Sequence, residues 1–342
     1  MEQAGEQTLW KRRKRPRPRK AARSHAPPLL AAIDLGTNNC RLLVASLDDS
    51  GRLHVVDSFS RIVRLGEGVD STGMLSDAAM DRTIAALKIC ARHVRRSRAV
   101  QLRAIVTEAA RRASNTDVLI ARAKAEADIA LEIISTEEEA RLAAMGCAPL
   151  IGREFAGAII FDIGGGSTEI IWAQGHGATA RTLCAASLPL GVVTLGERVG
   201  TNASLAEIQM LASTALVQVR KDFDSVGLFD ATQHHLLGTS GTVTTLAGIA
   251  LDLSRYERSK VDGSWHDFSK IAAIADKLGA LDLKARAQIG CVGRDRADLI
   301  VPGCAIMLAI HAFWPCQRLR VADRGLREGI LREMASQVAR GD

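Results

Sequence analysis

The chain has 342 residues, 47% of them hydrophobic, with 45 Lys/Arg against 38 Asp/Glu, which is enough for two hydrophobic cores. Its apolar runs, such as 156–163, stop well short of the roughly 18 residues of a membrane span, and the basic start lacks the apolar stretch of an export signal. Seven scattered cysteines without a C-x-x-C pair argue against a disulfide framework or a zinc site and for a reduced, cytoplasmic protein.

Nine of the 45 Lys/Arg but only two of the 38 Asp/Glu lie in residues 1–28, a local excess of seven that equals the formal net charge of the whole chain. The basic character therefore belongs to a tail. Like-charge repulsion and Pro16, Pro18, Pro27 and Pro28 work against packing there, so the tail is expected to be disordered. It could serve as a polyanion-binding arm for polyphosphate or RNA or merely as a solubilising extension, since Trp10 is its one stacking aromatic.

In chain order, strands are expected at 29–34, 41–47 and 53–59, joined by short turns. A helix capped by Ser76 follows at 77–95, then a strand at 102–107, a helix at 116–128, a strand at 131–134 and a helix at 137–145 opened by Ser135 or Thr136. After a linker the plan restarts with strands at 157–163, 169–173 and 180–187. A helix at 204–224, a strand at 235–238 and a helix at 243–251 come next, and the remainder reads as helices with one strand at 318–322. The repetition predicts a duplicated α/β fold with mixed sheets and flanking helices.

Each half opens with a glycine turn on an apolar strand. In the first, Asp34-Leu35-Gly36-Thr37-Asn38, the glycine lets backbone approach an oxyanion while Thr37 and Asn38 can donate to it; a hairpin turn with only local bonds explains the same residues. In the second, Asp162-Ile163-Gly164-Gly165-Gly166-Ser167-Thr168-Glu169, three consecutive glycines favour close approach to a ligand. Its carboxylates would repel a polyanion unless they hold a hard cation such as Mg²⁺. Asp162 and Glu169 are the candidate metal residues of this turn. Arg111 could grip a phosphoryl group through paired hydrogen bonds, although adjacent arginines on a loop are commonly just solvated. Thr136 and Glu139 have capping-box spacing, so spacing alone leaves Glu139 either a cap or a catalyst. Gly238, Thr239, Ser240, Gly241 and Thr242 form a strand-to-helix turn, suited to an anion or to an ordinary helix start.

Taken together, D-L-G-T-N-N-x-R, T-x-x-x-R-x-A-x-N, E-E-A-R-L, D-I-G-G-G-S-T-E, G-T-S-G-T and the late G-L-R-E-G resemble the exopolyphosphatase/guanosine pentaphosphate phosphohydrolase (Ppx/GppA) family over residues 29–335. The resemblance implies a two-domain actin-like ATPase (ribonuclease H-like) duplication with an interdomain cleft. One domain would take 29–136 plus 326–342 and the other 137–325. It further implies Glu139 as the catalytic glutamate that directs water, Arg111 on the terminal phosphoryl group, and Asp34, Asp162 and Glu169 around Mg²⁺. Thr37, Asn38, Gly164, Gly165, Gly166 and Ser167 would cradle phosphate, with Gly238, Thr239, Ser240 and Gly241 as a further anion contact. The implied activity is release of orthophosphate from the end of inorganic polyphosphate, with pppGpp as a further substrate and a homodimer as the assembly. Long members carry a C-terminal HD-type helical domain, for which the chain ends too soon, so a short form is expected. The rival readings are a kinase or ATPase of the same superfamily and a polyphosphate- or RNA-binding regulator driven by the tail.

Overall fold

The computed structural model of the protein describes residues 27–48, 52–200 and 203–340. The basic tail, apart from Pro27 and Pro28, lies outside these residues.

The first sheet is built from β1 (Leu30–Leu35), β2 (Asn39–Leu47), β3 (Leu53–Ile62), β4 (Gln101–Val106) and β5 (Leu131–Ile133), in the order β3-β2-β1-β4-β5. β1, β2 and β3 form an antiparallel meander, and β4 and β5 add in parallel beside β1. Five helices accompany it: α1 (Val69–Thr72), α2 (Asp77–Ser97), α3 (Glu108–Arg112), α4 (Thr116–Ala127) and α5 (Thr136–Cys147). Ser76 caps α2 by accepting the Ala79 N–H, as expected from its position. The apolar sides of α2 and α4 cover one face of the sheet through Ile84, Leu87 and Leu119. β1 is central and covered on both faces, which is why it reads as a continuous apolar run.

The second sheet repeats the plan. It contains β6 (Gly157–Ile163), β7 (Thr168–Gln174), β8 (Arg181–Leu188), β9 (His234–Thr239), β10 (Trp265–Asp267) and β11 (Arg318–Ala322), in the order β8-β7-β6-β9-β11-β10. Again three antiparallel strands are followed by two parallel ones, β9 and β11. The short β10, absent from the sequence reading, pairs antiparallel to β11 at the edge. The fold is therefore the duplicated α/β architecture with mixed sheets expected from the sequence.

The helices of this half are α6 (Val192–Val199), α7 (Leu205–Val226), α8 (Gly241–Ala250), α9 (Arg258–Val261), α10 (Phe268–Ala280), α11 (Leu283–Gln288), α12 (Ile300–Phe313) and α13 (Leu326–Arg340). α12 is apolar around most of its circumference because α6, α7, α8 and α10 all pack against it.

Two helices join the sheets. α13 lies on the face of the first sheet opposite α2 through Leu326, Ile330 and Met334, while Ala140, Ala143 and Cys147 of α5 cover the second sheet. α5 and α13 pack directly on one another. Because β1 and β6 run to their glycine turns at the same end of the molecule, this crossing sets the two turns face to face.

Candidate active site

The turn after β1 and the turn after β6 touch. A Cβ on Gly165 would lie 3.1 Å from Thr37 Cβ, and one on Gly166 only 2.6 Å from Thr37 Oγ1. Nothing larger than glycine fits this approach without displacing the facing loop.

Between the turns is a cavity of about 110 Å³. Its walls include Asp34, Thr37, Asn38, Asp162, Gly164, Gly165, Gly166, Ser167, Glu169, Ser240, Gly241 and Glu139. Residues as far apart as Asp34 and Gly241 in sequence thus share one chamber. Gly164 uses its N–H to close its own turn onto Ser167 O, at 2.9 Å. The N–H groups of Gly165 and Gly166 form no hydrogen bond among the described residues, leaving them as the donors of this loop.

Three of the sequence candidates lie outside this chamber. Gly238 sits within β9, where a Cβ would fall 2.5 Å from the Phe161 ring; its smallness serves packing. Thr239 donates its hydroxyl to Arg324 O at 2.9 Å and faces a neighbouring cavity. Arg111 stands behind the wall. Its Nη1 donates to Glu139 Oε2 at 2.8 Å and to Ile134 O at 3.0 Å, while Nε and Nη2 donate to Glu108 Oε2 at 3.2 and 2.9 Å. In this geometry Arg111 holds Glu139 and does not itself face the chamber.

The helix start explains why Glu139 is available. Ser135 is the N-cap of α5 and accepts the Glu138 N–H, so Glu138 takes the third helical position that Thr136 capping would have given to Glu139. Glu138 turns to the surface, pairing with Arg103 and Arg141. Glu139, one residue further round, is 8% exposed and walls the chamber.

Burial dominates the electrostatics of the chamber's acids. Burial pushes Glu139 up to about 7 against the opposing charge of Arg111, and Asp34 and Asp162 push the same way. Burial likewise raises Asp34, with Arg41 and Arg327 opposing, and raises Asp162 to about 6. Glu169 is raised well above the usual range by burial and by Glu139 and Asp162, although its Oε1 accepts from Ser167 and Ser187 hydroxyls at 2.8 and 2.9 Å. Two polar atoms of the chamber walls, Asn38 Oδ1 and Ser240 Oγ, are buried without a hydrogen-bond partner. Ser240 also adopts φ 111°, a conformation costly for a residue with a Cβ, at the start of α8.

Among the described residues, no three His, Cys, Asp or Glu side chains are gathered closely enough to hold a metal by themselves. Asp34 and Asp162, which both line the chamber, are carboxylates of the kind Mg²⁺ uses together with waters and phosphate oxygens. This arrangement has a measurable consequence. The folded protein retains protons on Asp162 and Glu139 up to about pH 6 and 7, whereas the unfolded chain releases them near 3.8 and 4.5. Stability from this cluster therefore falls as pH rises through that window. Thermal melts should show MgCl₂ raising Tm by about 2 °C or more at pH 8 and far less at pH 5; equal shifts at the two pH values would remove the carboxylates as the binding site.

Sequence reading also missed two cations of the chamber. Arg41 and Arg296 both line it and neither has a carboxylate within ion-pair distance among the described residues. Arg296, half-buried, donates to Thr245 Oγ1 at 3.2 Å and is held below its usual pKa by burial and by the like charge of Arg41. Two uncompensated guanidinium groups beside one chamber are suited to an anion. Arg41 had a visible signal in its place just after the first turn; Arg296 precedes α12 with no spacing cue to link it to either turn.

Residues 43–338 match the Ppx/GppA phosphatase family. The chain is 32% identical over 291 residues to exopolyphosphatase 2 of Mycobacterium tuberculosis, covering 81% of this chain and 88% of that protein. It is 31% identical over 312 residues to the guanosine-5'-triphosphate,3'-diphosphate pyrophosphatase of Aeromonas salmonicida, covering 90% of this chain but 59% of that protein. Among solved structures, an exopolyphosphatase from Cytophaga hutchinsonii superposes with a TM-score of 0.79 at 25% identity, covering 90% of this chain and 98% of that one. The Aquifex aeolicus member of the Ppx/GppA family superposes with a TM-score of 0.73 at 28% identity, covering 92% and 99%. With its two facing glycine turns and the buried glutamate between them, the chain belongs to the Ppx/GppA phosphatase family.

Proposed function

We propose that the chain hydrolyses the terminal phosphoanhydride bond of inorganic polyphosphate, releasing orthophosphate, and acts in the same way on pppGpp. The observation that carries this reading is the placement of Glu139, a buried carboxylate with a raised pKa, in the wall of a chamber the size of a phosphoryl group between two glycine turns. Glu139 accepts a proton from water as the water oxygen bonds to the terminal phosphorus, and the bridging P–O bond breaks to release the shortened chain. Gly165, Gly166, Thr37, Asn38, Ser167, Ser240 and Gly241 hold the terminal phosphoryl oxygens. Arg41 and Arg296 neutralise the leaving chain, and Arg111 with Glu108 keeps Glu139 in place. Mg²⁺ held by Asp34 and Asp162, with Glu169 nearby, would add charge neutralisation at the phosphate oxygens.

The domain division at about residues 136 and 325, a cytoplasmic location, a homodimer and contact of the basic tail with polyphosphate or RNA belong to the same proposal. No helix among the described residues is long and apolar enough to cross a membrane. The decisive measurement is phosphate release by the purified full chain from long polyphosphate, tripolyphosphate, pppGpp and ATP, each with and without Mg²⁺. Mg²⁺-dependent release from the first three and little from ATP is expected. ATP as the preferred substrate would favour the ATPase reading, and no release from any would favour the binding regulator.

A further inference from the structure

The catalytic chamber is too small for more than the end of a polyphosphate chain, and two spaces open from it beside Arg296. One is a side cavity of about 400 Å³, reached past Arg41 and Asp162; the other is an open groove of about 590 Å³ beyond Asn39. Each offers a path for whatever follows the terminal phosphoryl group.

Charge separates the two exits. The side cavity has five arginines on its walls but also Asp34, Asp162, Asp323 and Glu328. Two of its arginines are already engaged, Arg258 with Asp323 and Glu328 and Arg324 with Asp262. In the groove, Arg61, Arg64, Arg294 and Arg296 face a single carboxylate, Asp295. Of these four, only Arg64 has an ion-pair partner among the described residues, Asp298 at 3.1 Å. Arg61 is exposed and lies over the Phe59 ring, 5.5 Å from its centroid, which orders the side chain without neutralising it.

The two walls come from opposite halves. The end of β3 supplies Ser60, Arg61 and Ile62, and the segment before α12 supplies Val292 to Arg296. The Arg64–Asp298 pair ties these walls together. The groove thus exists as a continuous cationic surface only when the two glycine turns are together, the same condition that forms the chamber.

We infer that the groove between Arg61 and Arg294 is the subsite for the distal phosphates of a polyphosphate chain, and that it sets the preference for long over short chains. The inference rests on the polyphosphate reading above. A linear polyanion gains most where guanidinium groups have no competing carboxylate, and each such contact also releases counterions, making binding salt-dependent.

The test uses an Arg61→Ala/Arg294→Ala double variant of the full chain. Relative to wild type, KM for long polyphosphate should rise about tenfold and lose much of its salt dependence, with the rise for tripolyphosphate at least fivefold smaller. An Arg61→Lys/Arg294→Lys variant should recover most of the difference. The same substitutions on a Glu139→Gln background give an equilibrium Kd for long polyphosphate that needs no turnover, and this Kd should weaken by a similar factor. Equal rises for both substrates, or an unchanged Kd, would overturn the inference. So would Arg327→Ala in the side cavity producing the larger loss. A wild-type chain that binds long polyphosphate through the groove but releases no phosphate would instead sink the hydrolase reading and leave the subsite standing.

Discussion

Glu139→Gln is expected to lower kcat for phosphate release by about 10²- to 10⁴-fold while changing KM for polyphosphate by less than about threefold. The amide keeps the volume of the carboxylate and can still accept from Arg111 Nη1, so the clamp of Arg111, Glu108 and Ile134 survives. What is lost, on the proposed mechanism, is the site for the proton of the attacking water. The pH profile supplies an independent readout. Glu139 is raised to about 7 by burial, against Arg111 and with Asp34 and Asp162, and a general base works only when deprotonated. Wild-type kcat/KM should therefore rise with pH, along an acid limb at or below about pH 7, since a bound cation lowers the value further. The residual activity of Glu139→Gln should lack that limb. Glu169→Gln is the necessary comparison, because Glu169 is also buried in the chamber wall. Its Oε1 is occupied by two serine hydroxyls, which suits a fixed acceptor better than a proton carrier. A larger kcat loss in Glu169→Gln than in Glu139→Gln would transfer the role of base to Glu169.

The duplicated meander was legible because hydrophobic runs and turn residues are local signals: β1, β2, β6 and β7 fall where the apolar stretches place them. The two glycine turns were legible for the same reason, since a carboxylate, glycines and hydroxyls adjoin in sequence. Glu139 was ambiguous because Ser135 and Thr136 can both cap, and only the chosen cap decides which glutamate faces inward. Arg296 and Glu108 were silent, because their importance arises from what the fold brings next to them. Gly238 was misleading. A glycine beside a strand-to-helix turn suggests an anion site, but the facing Phe161 ring already requires that position to be small.

Gly329→Ala should be among the most destabilising single substitutions in the chain, although alanine is the better helix former by about 1 kcal/mol. A Cβ at position 329 of α13 would lie 1.9 Å from Leu142 O and 2.7 Å from Leu142 C, both backbone atoms of α5. The contact is reciprocal: a Cβ on Gly146 of α5 would lie 1.9 Å from Gly325 O. Backbone cannot rotate away as a side chain can, so the helices must separate, opening voids around Leu142, Ile330 and Leu331. Overpacking costs about 1–3 kcal/mol where side chains can adjust and more where they cannot, so a loss of about 3 kcal/mol or more is expected in urea unfolding. Gly196→Ala is the control. It lies within α6, and its added Cβ meets only Pro302 Cγ, at 3.7 Å; helix propensity alone should make it neutral or stabilising. If Gly329→Ala behaved like Gly196→Ala, the close crossing would be refuted. The crossing also bears on catalysis, because Glu139 lies two turns before Gly146 on the same helix. A helix that cannot seat against α13 moves Glu139 relative to both glycine turns. A folded Gly329→Ala protein should therefore lose kcat by more than its loss of stability explains, joining the second half of the G-L-R-E-G motif to the chemistry through packing and not through contact with phosphate.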